Sequence, residues 1–130
     1  MDVWLLNIET ATTNCSVSIS KNGKLISCKE TNSKKYSHHE NLHKLIQTSI
    51  YDCNIDLNHL SGVAVSKGPG SFTGLRIGVS AAKGLCFSLK IPLLSINSLT
   101  VLSQKIKVKE GTLLAPMIDA RRMEVYTQLH

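Results

Sequence analysis

The N-terminal part of the chain carries a pattern of apolar and polar positions that predicts three β-strands. Residues 3–9 are mostly apolar, which is typical of a strand buried on both faces. Residues 15–20 alternate between apolar and polar side chains, as a half-buried strand does. The pair Asn22-Gly23 is typical of a tight hairpin turn, and residues 24–30 return as a third strand. We therefore expect an antiparallel three-stranded meander.

The pattern then changes to a helical period. Residues 32–37 are polar and predict a loop. From His38 or His39 to about residue 53, apolar side chains recur with a period of about 3.6 residues, which predicts a helix. They are Leu42, Leu45, Ile46, Ile50 and Cys53. Residues 54–59 predict a connector, and the short apolar run over residues 60–66 predicts a central parallel strand.

A glycine-rich turn and a long helix come next. Residues 67–71 contain Gly-Pro-Gly-Ser and predict a sharp turn from strand to helix. The helix is expected over residues 72–89, with Ser71 or Thr73 as its N-cap. Pro92 lies just beyond its end, where proline commonly follows a helix.

The last third of the chain predicts shorter elements. Residues 93–96 predict a strand, and residues 98–107 predict a helix capped by Ser98. Residues 112–119 and 123–129 predict two strands joined by a turn. The predicted order is thus β-β-β-α-β-α-β-α, followed by β-β.

This order predicts an α/β fold with a mixed sheet, three antiparallel strands followed by βαβα units, flanked by helices. It fits the ribonuclease H-like unit of the actin and sugar-kinase ATPases. We expect this unit to span residues 1–108. Residues 109–130 do not fit into it and are expected to be the first hairpin of a truncated second domain.

Composition adds limited information about function. The 130 residues include 15 Lys and Arg against 9 Asp and Glu, a formal charge of +6. This favours polyanionic partners, although a surface with spare lysines explains it equally well. The N-terminus lacks the features of a signal peptide, and the apolar runs are too short for a membrane helix, so we expect a cytoplasmic location with no membrane partner.

The four cysteines, Cys15, Cys28, Cys53 and Cys86, are at least 13 positions apart, which excludes a CxxC zinc or redox motif. We expect them to be reduced and mostly buried.

The turn after the predicted central strand is a candidate anion site. A helix N-terminus offers free backbone N–H groups and the positive end of the helix dipole. A tight turn without a ligand explains the same residues. The order of glycine and lysine differs from that of a Walker A loop. The candidate residues are Lys67, Gly68, Pro69, Gly70, Ser71, Phe72, Thr73, Gly74 and Arg76.

The long helix is rich in small and apolar residues on nearly every side. Interior glycines such as Gly74, Gly78 and Gly84 each cost about 1 kcal/mol relative to alanine, so close packing is expected to compensate. One side can lie on the sheet. The other side is expected to meet another polypeptide, or else the neighbouring helix of the same domain.

His39-Glu40-Asn41-Leu42-His43 matches the HExxH pattern of zinc peptidases. The two histidines lie one helical turn apart, and Glu40 could act as a general base. A catalytic zinc also needs a third protein ligand, and the sequence shows none in a recognisable motif. We therefore assign no metal to the chain and keep the peptidase as an alternative.

The segment SKGPGSFTGLRIGVSAAKGL, residues 66–85, resembles the signature of the TsaB (YeaZ) family of tRNA threonylcarbamoyladenosine biosynthesis proteins. The opening LLNIETATTNCSVSI, the helix start His38-His-Glu-Asn-Leu42 and the segment Met117–Tyr126 resemble the same family. The chain differs from the family in carrying Glu9 where aspartate is commoner, and in ending earlier than a typical member.

The resemblance implies an actin-like ATPase fold without catalytic activity of its own. It implies a heterodimer with the catalytic paralogue TsaD, which threonylcarbamoylates the tRNA adenosine next to the anticodon, and a complex that includes the ATPase TsaE. tRNA would then be an indirect partner. No cofactor is implied for this chain, although a nucleotide at the complex interface is compatible with the fold.

The family pairs through its first two helices, here residues 39–53 and 72–89. The implied interface residues are His39, Leu42, His43, Ile46, Ile50, Leu75, Gly78, Val79, Ala81, Ala82 and Leu85. A homodimer through the same helices is a further alternative.

A nucleotide-binding actin-like ATPase domain is another alternative. Thr10, Thr12 and Thr13 occupy the hairpin that holds phosphate in that fold, but the strand over residues 60–66 offers no acidic partner for Glu9.

Overall fold

A computed structural model describes residues 1–32 and 38–130. Most of the loop predicted over residues 32–37 therefore lies outside the described residues. The elements in chain order are β1 (Trp4–Glu9), β2 (Asn14–Lys21), β3 (Lys24–Asn32), α1 (His38–Asp52), a 3-10 turn (Leu57–His59), β4 (Gly62–Gly68), α2 (Phe72–Leu89), β5 (Leu93–Asn97), α3 (Ser98–Ser103), β6 (Met117–Arg121) and β7 (Glu124–Thr127).

The main sheet has five strands in the order β3-β2-β1-β4-β5. β1, β2 and β3 form the predicted antiparallel meander, with β1 against β2 and β2 against β3. β4 runs parallel to both β1 and β5. Three antiparallel strands followed by parallel strands connected through helices confirm the predicted mixed α/β fold.

One face of this sheet carries the core. Leu6 pairs in register with Ile19 on one side and with Val63 on the other, so all three side chains point to the same face. α1 and α2 cover that face and contribute buried side chains such as Leu42 and Ala82. The core therefore fixes which side of each helix faces inwards.

α3 is shorter than predicted and begins differently. Asn97, not Ser98, is its N-cap, and the Asn97 side-chain oxygen accepts a hydrogen bond of 2.8 Å from the backbone N–H of Leu99. The helix ends at Ser103 instead of residue 107. Beyond it, Ile106, the last apolar position of the predicted helix, is 58% exposed.

β6 and β7 form a separate two-stranded sheet and are shorter than the predicted strands. The turn falls at Arg121, Arg122 and Met123, all with positive φ, and the Asp119 carboxylate accepts a hydrogen bond of 2.8 Å from the Arg121 N–H. A boundary between domains near residue 108 stays a prediction.

In the part of the chain that the structure describes, we find no helix with the length and apolarity needed to cross a membrane.

Candidate interaction surface

The Gly-Pro-Gly-Ser turn carries the chain from β4 into α2. Gly68 has a φ of +115°, a conformation that favours glycine, and the Gly68–Pro69 peptide bond is cis. Ser71 is the N-cap, one of the two residues predicted for this role, and its side-chain oxygen accepts a hydrogen bond of 3.2 Å from the Gly74 N–H. The Ser71 N–H donates to the Ala11 carbonyl oxygen over 2.7 Å. The turn is thereby joined to the connection between β1 and β2.

Glycines of the turn and of α2 face that same connection. A Cβ atom at Gly70 would lie 2.5 Å from the Ala11 carbonyl oxygen. A Cβ atom at Gly74 would overlap the Thr10 carbonyl oxygen, and one at Gly78 would overlap the Thr10 hydroxyl. The prediction that Gly78 contacts another polypeptide is therefore wrong, because Gly78 is buried against Thr10 of the same chain. These glycines let the chain's own β1–β2 connection approach the helix.

His38 lies beside this contact and is 1% exposed. Its Nε2 lies 2.5 Å from the Thr12 carbonyl oxygen. A Cβ atom at Gly74 would also come within 3.1 Å of its ring carbon Cδ2. The sequence suggests roles for His39 and His43 and none for His38. The polarity of the segment gave no sign that this histidine would be buried.

Several residues predicted to form a partner interface face the core instead. Leu42 and Ala82 are 0% exposed, Ile46 is 6% exposed and Ile50 is 9% exposed. Gly78 is also buried. The helices must bury one side against the sheet, and these residues occupy that side. Their side chains therefore serve the fold, and only the more accessible residues of the set can contact a partner.

Four of the more accessible residues of the predicted interface line a groove of about 700 Å³ between α1 and α2, together with the largely buried Ile46. These four are His39, His43, Ala81 and Leu85. We call this depression the α1–α2 groove; its lining is His39, His43, Ile46, Thr73, Arg76, Ile77, Ser80, Ala81, Gly84, Leu85 and Ser88. Leu75 and Val79 are partly buried and lie outside it. Ile77, Ser80, Gly84 and Ser88 were missed, although they continue the helical spacing of Thr73, Ala81 and Leu85.

The α1–α2 groove combines apolar and polar side chains. Ile77 and Leu85 are partly buried apolar residues along it, whereas His39 and Arg76 are exposed. The Arg76 guanidinium lies 5.5 Å from the centroid of the Phe72 ring, and Phe72 is 74% exposed. An apolar depression with polar edges is suited to receive another protein surface.

Among the described residues, the HExxH segment gains no third zinc ligand of the kind that a peptidase needs. The His39 Nε2 lies 3.5 Å from the Glu40 carboxylate, and both side chains are 66% exposed. Within residues 1–32 and 38–130, no group of three or more His, Cys, Asp and Glu side chains is placed to hold a metal ion. The geometry gives the peptidase alternative no support.

A second cleft, of about 610 Å³, lies between the β1–β2 connection, the start of α2 and β6. Thr12, Thr13, Ser71, Thr73 and Arg121 are among its lining residues. Of the residues predicted as an anion site, Gly70, Ser71, Phe72 and Thr73 line this cleft and the others do not. The anion site stays a prediction.

The Glu9 carboxylate, which an ATPase would use, is held by hydrogen bonds within the chain. It accepts one from the Ala11 N–H over 3.0 Å and another from the Ser66 hydroxyl. β4 ends without a second carboxylate, as its sequence indicated.

Comparison with known proteins agrees with this fold. The family model described as TsaD, tRNA N6-adenosine threonylcarbamoyltransferase, matches residues 26–129. The TsaB protein of Bacillus subtilis is 44% identical over 85 residues, which cover 65% of this chain and 37% of that protein. The TsaB protein of Buchnera aphidicola subsp. Schizaphis graminum is 38% identical, over 94% of this chain and 58% of that protein.

Solved structures show the same likeness. YeaZ from Pseudomonas aeruginosa matches with a TM-score of 0.87 at 30% identity, over 98% of this chain and 58% of that one. RuvC from Thermus thermophilus, at 11% identity, a TM-score of 0.51 and coverage of 76% of this chain and 66% of that one, shares the fold alone.

The fold is that of the ribonuclease H-like, actin-like ATPase class. Within this class the chain belongs to the TsaB (YeaZ) family of tRNA threonylcarbamoyladenosine biosynthesis proteins. It spans 37% and 58% of the lengths of the two TsaB relatives described above.

Proposed function

We propose that this chain acts in the formation of threonylcarbamoyladenosine in tRNA as a non-catalytic subunit. Its partner would be a catalytic TsaD-like protein, and tRNA would be served through that partner. The observation that carries this proposal is the α1–α2 groove, an open depression with apolar side chains such as Ile77 and Leu85. A second polypeptide seated there would bury this apolar surface, which favours association.

The chemistry of the remaining clefts supports a non-catalytic role. The Glu9 carboxylate is engaged by the Ala11 N–H and the Ser66 hydroxyl. β4 lies next to β1 in the sheet and carries Ser66 and Lys67 near its end. To hold a magnesium ion through water, an ATPase would need a second carboxylate beside Glu9. The role we propose is therefore to hold the catalytic partner in its active arrangement.

The test uses two glutamate substitutions on α2. Ala81 lines the α1–α2 groove, whereas Lys83 is exposed on the same helix and does not line it. We expect Ala81→Glu to abolish pairing with the cognate TsaD-like protein. Burying an unpaired carboxylate costs about 3 kcal/mol or more, which corresponds to an affinity loss of about 100-fold. Lys83→Glu should pair like the unsubstituted chain.

Light scattering during size-exclusion chromatography would measure the mass of the chain alone and of the mixture, and a tRNA modification assay would report the activity of the pair. If Ala81→Glu pairs as tightly as Lys83→Glu, the α1–α2 groove is not the interface. A chain that forms only a dimer with itself and ignores the TsaD-like protein would favour the homodimer instead.

A further inference from the structure

Two exposed histidines stand one helical turn apart at the start of α1. His39 and His43 both line the α1–α2 groove, and both are exposed. Residues at positions i and i+4 of a helix are surface neighbours, with Cβ atoms about 5–6 Å apart. This spacing allows two imidazoles to reach one metal ion, as the two histidines of an HExxH helix do. The proposed pairing function makes no use of this arrangement.

The surroundings of the two histidines limit what they can bind. The facing side of the groove presents Thr73 and Ser80, together with Arg76, whose guanidinium is directed over the Phe72 ring. Among the described residues, no three His, Cys, Asp or Glu side chains are placed to hold one metal ion together. A metal ion here would therefore have the two imidazoles as its only ligands of these types. Water would fill the other positions.

We propose that His39 and His43 together chelate one divalent transition-metal ion on the exposed side of α1. Imidazole nitrogens suit zinc, copper and nickel, and affinity for such a site should follow the order copper above nickel and zinc. Magnesium and calcium prefer oxygen ligands and should not bind there. The site is a surface chelate with open positions and does not require peptidase chemistry. Because both histidines line the α1–α2 groove, a partner seated there would cover the site, so binding is measured on the chain alone.

The experiment is a calorimetric titration of the full chain, without a polyhistidine tag, with nickel chloride and with zinc chloride. We expect one bound ion per chain. His39→Ala and His43→Ala should each weaken binding by about tenfold or more, because each removes one of two ligands. His59→Ala is the control, because His59 is a 54% exposed histidine that contacts Asp56 outside the groove.

A second variant keeps the composition and changes only the spacing. Exchanging His43 with its exposed neighbour Lys44, as His43→Lys with Lys44→His, leaves the number of histidines and the charge unchanged. It moves the second imidazole off the face of His39, so we expect the same loss of affinity as in His43→Ala. Equal binding by the exchanged chain and the unsubstituted chain would overturn the proposal. So would binding that His39→Ala does not weaken, or no binding of nickel or zinc.

Discussion

The Thr10 hydroxyl donates a hydrogen bond of 2.6 Å to the Gly74 carbonyl oxygen. The two residues are 64 positions apart in sequence, yet the bond is buried. It joins the end of β1 to the first turn of α2. Together with the bond from the Ser71 N–H to the Ala11 carbonyl oxygen, it makes the glycine-rich turn and the β1–β2 connection one packed unit.

Adding one methyl group at Gly78 should disturb this unit. A Cβ atom there would overlap the Thr10 hydroxyl and lie 3.3 Å from the Thr10 Cβ. We expect Gly78→Ala to lower the free energy of unfolding by about 1–3 kcal/mol, the usual effect of overpacking, despite the higher helix propensity of alanine. Unfolding by urea, followed by circular dichroism, would measure the change.

Gly84 provides the matched control, because a Cβ atom there would meet no other atom within 4 Å. Gly84→Ala should raise the free energy of unfolding by up to about 1 kcal/mol, the difference in helix propensity. Equal stabilisation by both substitutions would show that Thr10 does not press on Gly78. Because the methyl group at Gly78 would act inside the chain, this variant tests the fold and not the partner interface.

Replacing the buried His38 should also destabilise the fold. His38→Ala would remove the bond to the Thr12 carbonyl oxygen and leave a space beside Gly74. We expect a loss of about 2 kcal/mol in the free energy of unfolding, combining a lost hydrogen bond with a partly filled cavity. His39→Ala, at the neighbouring histidine with a 66% exposed side chain, should change it by less than about 0.5 kcal/mol. Similar effects of the two substitutions would contradict the structural role of His38.

The cysteines should differ in reactivity. Cys28 is exposed, contrary to the expectation of mostly buried thiols, whereas Cys15 and Cys86 are buried and Cys53 is partly buried. Burial raises the pKa of the Cys15 and Cys86 thiols. The pKa of the Cys53 thiol is also raised, mainly by burial and to a smaller extent by the negative charge of Asp52. A thiol reagent should therefore modify Cys28 first in the folded chain, and Cys28→Ser should remove that rapid phase.

The raised thiol pKa values also predict how the free energy of unfolding changes with pH. A thiol whose pKa is higher in the folded chain keeps its proton there, while the unfolded chain loses it above about pH 8.5. The contribution of these thiols to the free energy of unfolding is therefore present below that pH. It is lost as the pH rises through the pKa that the thiol has in the folded chain. We expect the free energy of unfolding to fall on the alkaline side. Urea unfolding at a series of pH values would measure it, and a constant value would contradict this linkage.

Local patterns in the sequence were sufficient for the main sheet and the long helices. The apolar run of β1, the alternation in β2 and the Asn22-Gly23 pair specify neighbouring strands through short-range contacts. α2 was predicted with its observed bounds, because Ser71 supplies an N-cap and the apolar spacing persists up to Leu89. Such signals depend only on nearby residues.

The contacts of individual helix faces could not be predicted in the same way. Gly78 looked like a contact for another chain, because the sequence does not show that Thr10 folds against it. Neighbouring helix positions point about 100° apart, and the residue types alone did not show that His38 is buried while His39 is exposed. α3 was predicted too long because apolar positions continue to Ile106, although this side chain is 58% exposed and does not belong to the helix.

The position of β3 at the edge of the main sheet has a consequence for handling the protein at high concentration. This strand of nine residues exposes Leu25 and Ile26, and in the described chain it pairs with β2 alone. An open strand edge can recruit a strand from another molecule and begin fibril growth. Lys24, Lys29 and Glu30 place charges along it, so conditions that screen or neutralise these charges should favour aggregation.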